Sequence, residues 1–233
     1  MSNSGPRYAI YFAPDPSSPL WCFGCSVLGY DAATALEVGF ATMLEDNCPE
    51  WRELTQDPRR YGFHGTLKAP FHLHPDASEA ALLDAVTAFA ANEPCVHLAG
   101  LEVAGLSRFV ALVPVGESTA LKALASQVVT AFDFARAPLT AADRERRNKA
   151  SLTERQAHYL ETHGYPYVHE DFRFHMTLSG PLDKDLIDDV QIGLSQLYAM
   201  EVPAGPVTID TLAVFKQDTS DSRFRIIARA PLA

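Results

Sequence analysis

Residues 64 and 175 open the same seven-residue frame, His64-Gly-Thr-Leu-Lys-Ala-Pro70 and His175-Met-Thr-Leu-Ser-Gly-Pro181. Around each frame the predicted elements recur in one order: a His-x-Thr-Leu strand, a proline, an amphipathic helix, a strand, a turn and a strand. Further along, Ser107-Arg-Phe-Val-Ala-Leu-Val113 matches Ser222-Arg-Phe-Arg-Ile-Ile-Ala228, with a small loop insertion before the second copy. A duplication with so little change in length restricts the chain to two similar units related by a pseudo-twofold axis.

The repeated strand-helix-strand-strand order gives an α+β fold: two pseudo-symmetric lobes, each an antiparallel β-sheet backed by helices, with a central cleft. Strands are expected over 7–13, 61–71, 96–103, 108–114, 172–179, 207–215 and 224–230. Helices are expected from Asp31 as N-cap to Glu45, and over 78–91, 118–132, 153–163 and 184–198. Residues 136–149 are charged and lack apolar periodicity, which makes them a linker. The expected organisation is one bilobal domain over 1–233, with lobe 1 at about 15–135, the linker at about 136–150, lobe 2 at about 151–233 and strand 7–13 unassigned.

Alternate residues of a strand share a face, so His64 joins Thr66 on one strand and His175 joins Thr177 on the other. If the lobes meet about a twofold axis, both pairs converge on one cleft. Two imidazoles on opposite sides of a phosphodiester suit in-line hydrolysis, one deprotonating the attacking water and the other protonating the departing oxygen. Imidazole titrates near pH 6.5, so both roles are accessible near neutrality. Threonine hydroxyls can donate to non-bridging phosphate oxygens. The same periodicity puts Gly62 and Lys68 on the His64 face, and Arg173 and Ser179 on the His175 face, so each lobe would contribute one cation. Tyr11 alternates with Ala9 in the first strand and could either line the cleft or pack in the core.

With 47% hydrophobic and 21% charged residues the chain can bury a real core. A formal net charge of −10 opposes tight binding to long nucleic acid, so a phosphate ligand is expected to be small and held by local cations. No apolar run is long enough to span a membrane, and residues 1–14 lack the basic-then-apolar order of a signal peptide, so a cytoplasmic location is expected. Four scattered cysteines are expected to be reduced, and Cys22-Phe-Gly-Cys25 lacks the context of a redox motif. His72 and His74 have no acidic or cysteine partner at metal-binding spacing, and no metal or other cofactor is expected. The basic linker residues Arg144, Arg146, Arg147 and Lys149 either close over an anionic substrate or simply solvate a loop.

These residues carry a family resemblance. Paired His-x-Thr motifs in a duplicated sheet-and-helix chain resemble the 2H phosphoesterase superfamily. The segments 7–14, 61–71, 164–168 and 172–178 are similar to a bacterial branch usually labelled as phosphonate-metabolism proteins. The resemblance implies that His64 and His175 are the acid/base pair and that Thr66 and Thr177 clamp phosphate, whereas Lys68, Arg173 and Tyr11 are substrate-binding candidates from strand periodicity alone, with solvated edge-strand charges the alternative for Lys68 and Arg173. It implies metal-independent hydrolysis of a cyclic or other small phosphodiester. The competing expectations are RNA-end cyclic phosphodiesterase or 2′-5′ ligase activity, and a nucleotide- or phosphate-binding module without turnover.

Overall fold

The computed structural model describes residues 5–141, 143–144 and 152–233. Its strands are β1 (Arg7–Phe12), β2 (Tyr30–Asp31), β3 (Leu36–Glu37), β4 (Gly65–His72), β5 (Val96–Leu98), β6 (Leu101–Leu106), β7 (Phe109–Pro114), β8 (Met176–Thr177), β9 (Val207–Ile209), β10 (Thr211–Gln217) and β11 (Arg225–Pro231). Seven of them form one antiparallel sheet in the order β11-β10-β1-β4-β8-β7-β6. The helices Glu79–Ala90, Thr119–Ala131 and Lys184–Glu201 pack against it. Among the described residues no helix is long and apolar enough to cross a membrane.

The fold is the expected α+β arrangement, but the two lobe sheets run into each other. They join at a single registered pair, Gly65 opposite Met176. Nor do the sheet halves follow the sequence halves placed at about 15–135 and 151–233. The His64 strand, β4, continues through β1 into β10 and β11 of the second copy, whereas the His175 strand, β8, continues into β7 and β6 of the first. Each copy therefore completes the sheet of the other. The β5–β9 ladder, with His97 opposite Thr208, ties corresponding strands of the two copies together.

Local chemistry explains most elements. Beyond Arg7, β1 is an uninterrupted apolar and aromatic run buried on both faces, as a central strand must be. Ser78, Ser118 and Thr153 cap their helices by accepting backbone N–H bonds, Thr153 within a full capping box with Gln156. The helix expected from Asp31 is absent. The Asp31 carboxylate accepts from Ala33 N at 2.8 Å and closes the tight β2–β3 hairpin, and only Thr42–Asn47 is helical. The strand expected over 172–179 shrinks to two residues, because Leu178 and Ser179 both donate to Val110 O and the ladder ends there.

Candidate active site

The register around Gly65 and Met176 builds the site. Those two residues face one side of the sheet, so His64 and Thr66, and likewise His175 and Thr177, project from the other. Extending the antiparallel pairing by one residue each way sets His64 beside Thr177 and Thr66 beside His175. Each imidazole thus neighbours the threonine of the opposite repeat. The strands approach closely here because residue 65 is glycine; a Cβ there would run into the Phe174 ring.

Both imidazoles are anchored in one way. His64 Nδ1 lies 2.8 Å from Gly62 O, and His175 Nδ1 lies 2.9 Å from Arg173 O. A carbonyl only accepts, so Nδ1 carries the proton in each ring and Nε2 is the atom left for chemistry. Gly62 holds its carbonyl in place from a left-handed conformation, φ +74°. His64 stacks on Tyr11 with ring centroids 3.8 Å apart and planes at 21°. Burial pushes the His64 pKa down to about 4, against the Gly62 hydrogen bond, and the nearby His175 lowers it further. At neutral pH His64 is therefore an uncharged imidazole.

Two cavities flank the paired strands. One of about 260 Å³ is lined by His64, Thr177, Arg108 and Phe109. The other, about 500 Å³, is lined by Thr66, His175, Arg173, Phe109, Tyr165 and Tyr167. Phe109 lines both, and its ring centroid is 5.6 Å from that of His175.

The four motif residues thus meet on one face, with Arg173 exposed on the adjoining wall. Lys68 does not join them. A bulge in β4 sets Tyr11 opposite Thr66 but Ile10 opposite Lys68, which turns Lys68 to the opposite face. There its ammonium, 3% exposed, donates to Val129 O at 2.9 Å and pairs with Asp133 at 3.2 Å. Burial lowers its pKa to about 8, opposed by Asp133. Its repeat counterpart Ser179 is also buried and accepts from Val110 N. Tyr11, 1% exposed, is a floor under His64 and not part of the wall.

Other sequence candidates lie apart. His72 Nδ1 is 3.1 Å from Pro6 O, and His74 pairs with Asp76. Among the described residues no group of three or more His, Cys, Asp or Glu could hold a metal ion. Cys22 and Cys25 are free thiols on helix Pro19–Leu28, and burial raises the Cys25 pKa. In the linker, Arg144 pairs with Glu161, whereas Arg146, Arg147 and Lys149 lie outside the described residues. The sequence reading missed Phe109, Tyr165 and Tyr167 as site residues, although the Ser-Arg-Phe repeat and the Gly164-Tyr-Pro-Tyr-Val168 segment carried the signal.

Over residues 66–225 the chain matches the family described as a protein of unknown function (DUF1045). It is similar to a ribose 1,5-bisphosphate phosphokinase PhnN of Janthinobacterium sp. (strain Marseille), 37% identical over 100% of this chain and 52% of that protein. It is also similar to a ribose 1,5-bisphosphate phosphokinase PhnN of Laribacter hongkongensis (strain HLHK9), 33% identical over 94% of this chain and 50% of that protein. The chain spans about half the length of these curated relatives. Among solved structures it is similar to E. coli LigT complexed with 3′-AMP, at 13% identity and a TM-score of 0.45, covering 98% of this chain and 99% of that one.

Proposed function

The chain belongs to the DUF1045 family, whose description assigns no reaction, and from the site itself we propose that it hydrolyses a small cyclic phosphodiester by paired histidine acid/base catalysis. The observation that carries this reading is the mirrored anchoring of the imidazoles. Each ties Nδ1 to the carbonyl two residues earlier, presents Nε2, and has the other repeat's threonine beside it. A module that only bound phosphate would need donors, not two titrating groups held in this way.

In the proposed reaction the neutral His64 is the base. Its Nε2 takes a proton from water as the water oxygen bonds to phosphorus. The phosphorus–oxygen bond to the leaving oxygen breaks on the opposite side, and protonated His175 gives that oxygen its Nε2 proton. The products are a phosphate monoester and a free hydroxyl, and proton exchange with solvent resets both rings. Thr66 and Thr177 donate to the non-bridging oxygens, whose charge grows in the transition state. The acid, the base and the clamps are all side chains, so the scheme has no step that calls for a metal ion.

The kinase relatives are named for a ribose phosphate, and a ribose cyclic phosphate fits a chain that resembles about half of such a protein. A panel of 2′,3′-cyclic nucleotides and ribose cyclic phosphates, assayed with and without a chelator, tests the reading. Wild type is expected to turn over at least one of them in both conditions. His64→Ala and His175→Ala are each expected to lose roughly 10²- to 10⁴-fold in kcat with the fold retained. Wild-type rates in both variants, or activity lost to chelator and restored by zinc or manganese, would refute it.

A further inference from the structure

The proposed reaction needs one phosphorus within reach of both imidazoles, yet His64 and Thr177 line the smaller cavity whereas His175 and Thr66 line the larger. Among the described residues Phe109 alone lines both. It opens β7, two residues before Ala111, which pairs with Thr177 on one side and with Ala104 on the other. Phe109 therefore rises on the face of the motif residues, beside a row of small side chains. The tight turn Ser107-Arg108 fixes where it stands: Leu106 pairs with Phe109 across that turn, and Ser107 is held at φ +57°. The ring is half-buried and lies outside the hydrophobic core, so core packing does not account for an aromatic residue there.

The phosphorus of a bound diester has to sit at the boundary between the cavities, with water entering from the His64 side and the leaving oxygen departing on the His175 side. Two of its three equatorial positions take the non-bridging oxygens met by Thr66 and Thr177, and the third takes the ester oxygen that is retained. In a cyclic diester that oxygen leads back into the same body, housed in the cavity of about 500 Å³, and the cavity of about 260 Å³ has only water to admit. In an open diester it carries a second arm, which meets the Phe109 ring at the boundary. We propose that Phe109 is a specificity-determining residue of the site, excluding open diesters by filling the space a second arm would need. This rests on the phosphodiesterase reading above.

The experiment compares kcat/KM for bis(p-nitrophenyl) phosphate, an open diester, with that for the cyclic compound wild type turns over fastest, in wild type, Phe109→Ala and Phe109→Leu. Phe109→Ala is expected to raise the open-to-cyclic ratio by about 10- to 100-fold, the discrimination a steric contact in a pocket supplies, chiefly by lowering KM for the open diester. Phe109→Leu, which leaves a smaller apolar side chain on the hairpin, should raise the ratio by less, and it decides the question if the alanine variant does not fold. A ratio within about threefold of wild type, or kcat/KM falling for both compounds by the same factor, overturns the role. Calorimetric binding of bis(p-nitrophenyl) phosphate separates the two claims. If wild type hydrolyses neither compound, the phosphodiesterase reading fails. The exclusion then stands if Phe109→Ala binds the open diester at least about tenfold more tightly than wild type, and fails at any smaller gain.

Discussion

Acid titration tests the burial of His64, because the folded chain refuses a proton that the unfolded chain accepts. The unfolded imidazole titrates at 6.5 and the folded one at about 4. The contribution of His64 to stability is therefore complete above pH 6.5, is lost as the pH falls toward 4, and is flat below that. Over those 2.5 units, at roughly 1.4 kcal/mol per unit, the loss is about 3 kcal/mol. Urea unfolding of wild type and His64→Gln at about pH 7.5, 6.5, 5.5 and 4.5 measures it. Glutamine can still donate to Gly62 O but does not titrate. Groups such as His72, His163 and Asp133, whose pKa values burial or charge also lowers, act in both proteins and cancel in the difference. The wild type should lose more stability than the variant with each step down, by a total approaching 3 kcal/mol. Parallel loss in the two proteins, or a His64 ring resonance that titrates near pH 6.5 by NMR, would refute the argument.

Lys68→Met is expected to cost about 1–3 kcal/mol of stability, because Val129 O loses its donor inside the protein while Asp133 keeps its fork to Arg136 at 2.9 and 3.0 Å. KM should not change; a raised KM at unaltered stability would return the ammonium to the cleft. Gly65→Ala should cost about 1–3 kcal/mol by forcing Phe174 aside. It should also lower kcat at least tenfold with circular dichroism retained, since it separates β4 from β8 where the two motifs meet. Wild-type stability and rate in that variant would contradict the close approach.

The motif residues were legible because their relation is local. His-x-Thr fixes two side chains on one strand face whatever the strand pairs with, and the repeat supplied the second strand. Lys68 obeyed the same periodicity on paper, but the bulge that reverses it arises from pairing with β1 some 60 residues away. Asp31 has the composition of a helix cap, yet a carboxylate that can cap a helix can equally close a turn, and the β2–β3 hairpin took it. The aromatic walls come from residues 109, 165 and 167, outside both motifs, so only three-dimensional closure brings them to the site. The crossing of the hairpins was hidden for a similar reason: a repeat specifies what each copy contains, not which copy completes which half of the sheet.

That crossing also constrains the order of events during synthesis. β1 is made well before β10, one of its two neighbours in the sheet; Arg7 and Gln217, hydrogen-bonded side chain to side chain, lie 210 residues apart in sequence. At a ribosomal rate of about 5–20 residues per second, β1 waits roughly 10–40 s for that neighbour, one apolar edge unpaired. The first repeat cannot finish as an independent unit in the meantime, since the hairpin that completes its sheet belongs to the second. The nascent chain therefore carries that open edge until β10 emerges, and His64 and His175 come together only when both copies are in hand.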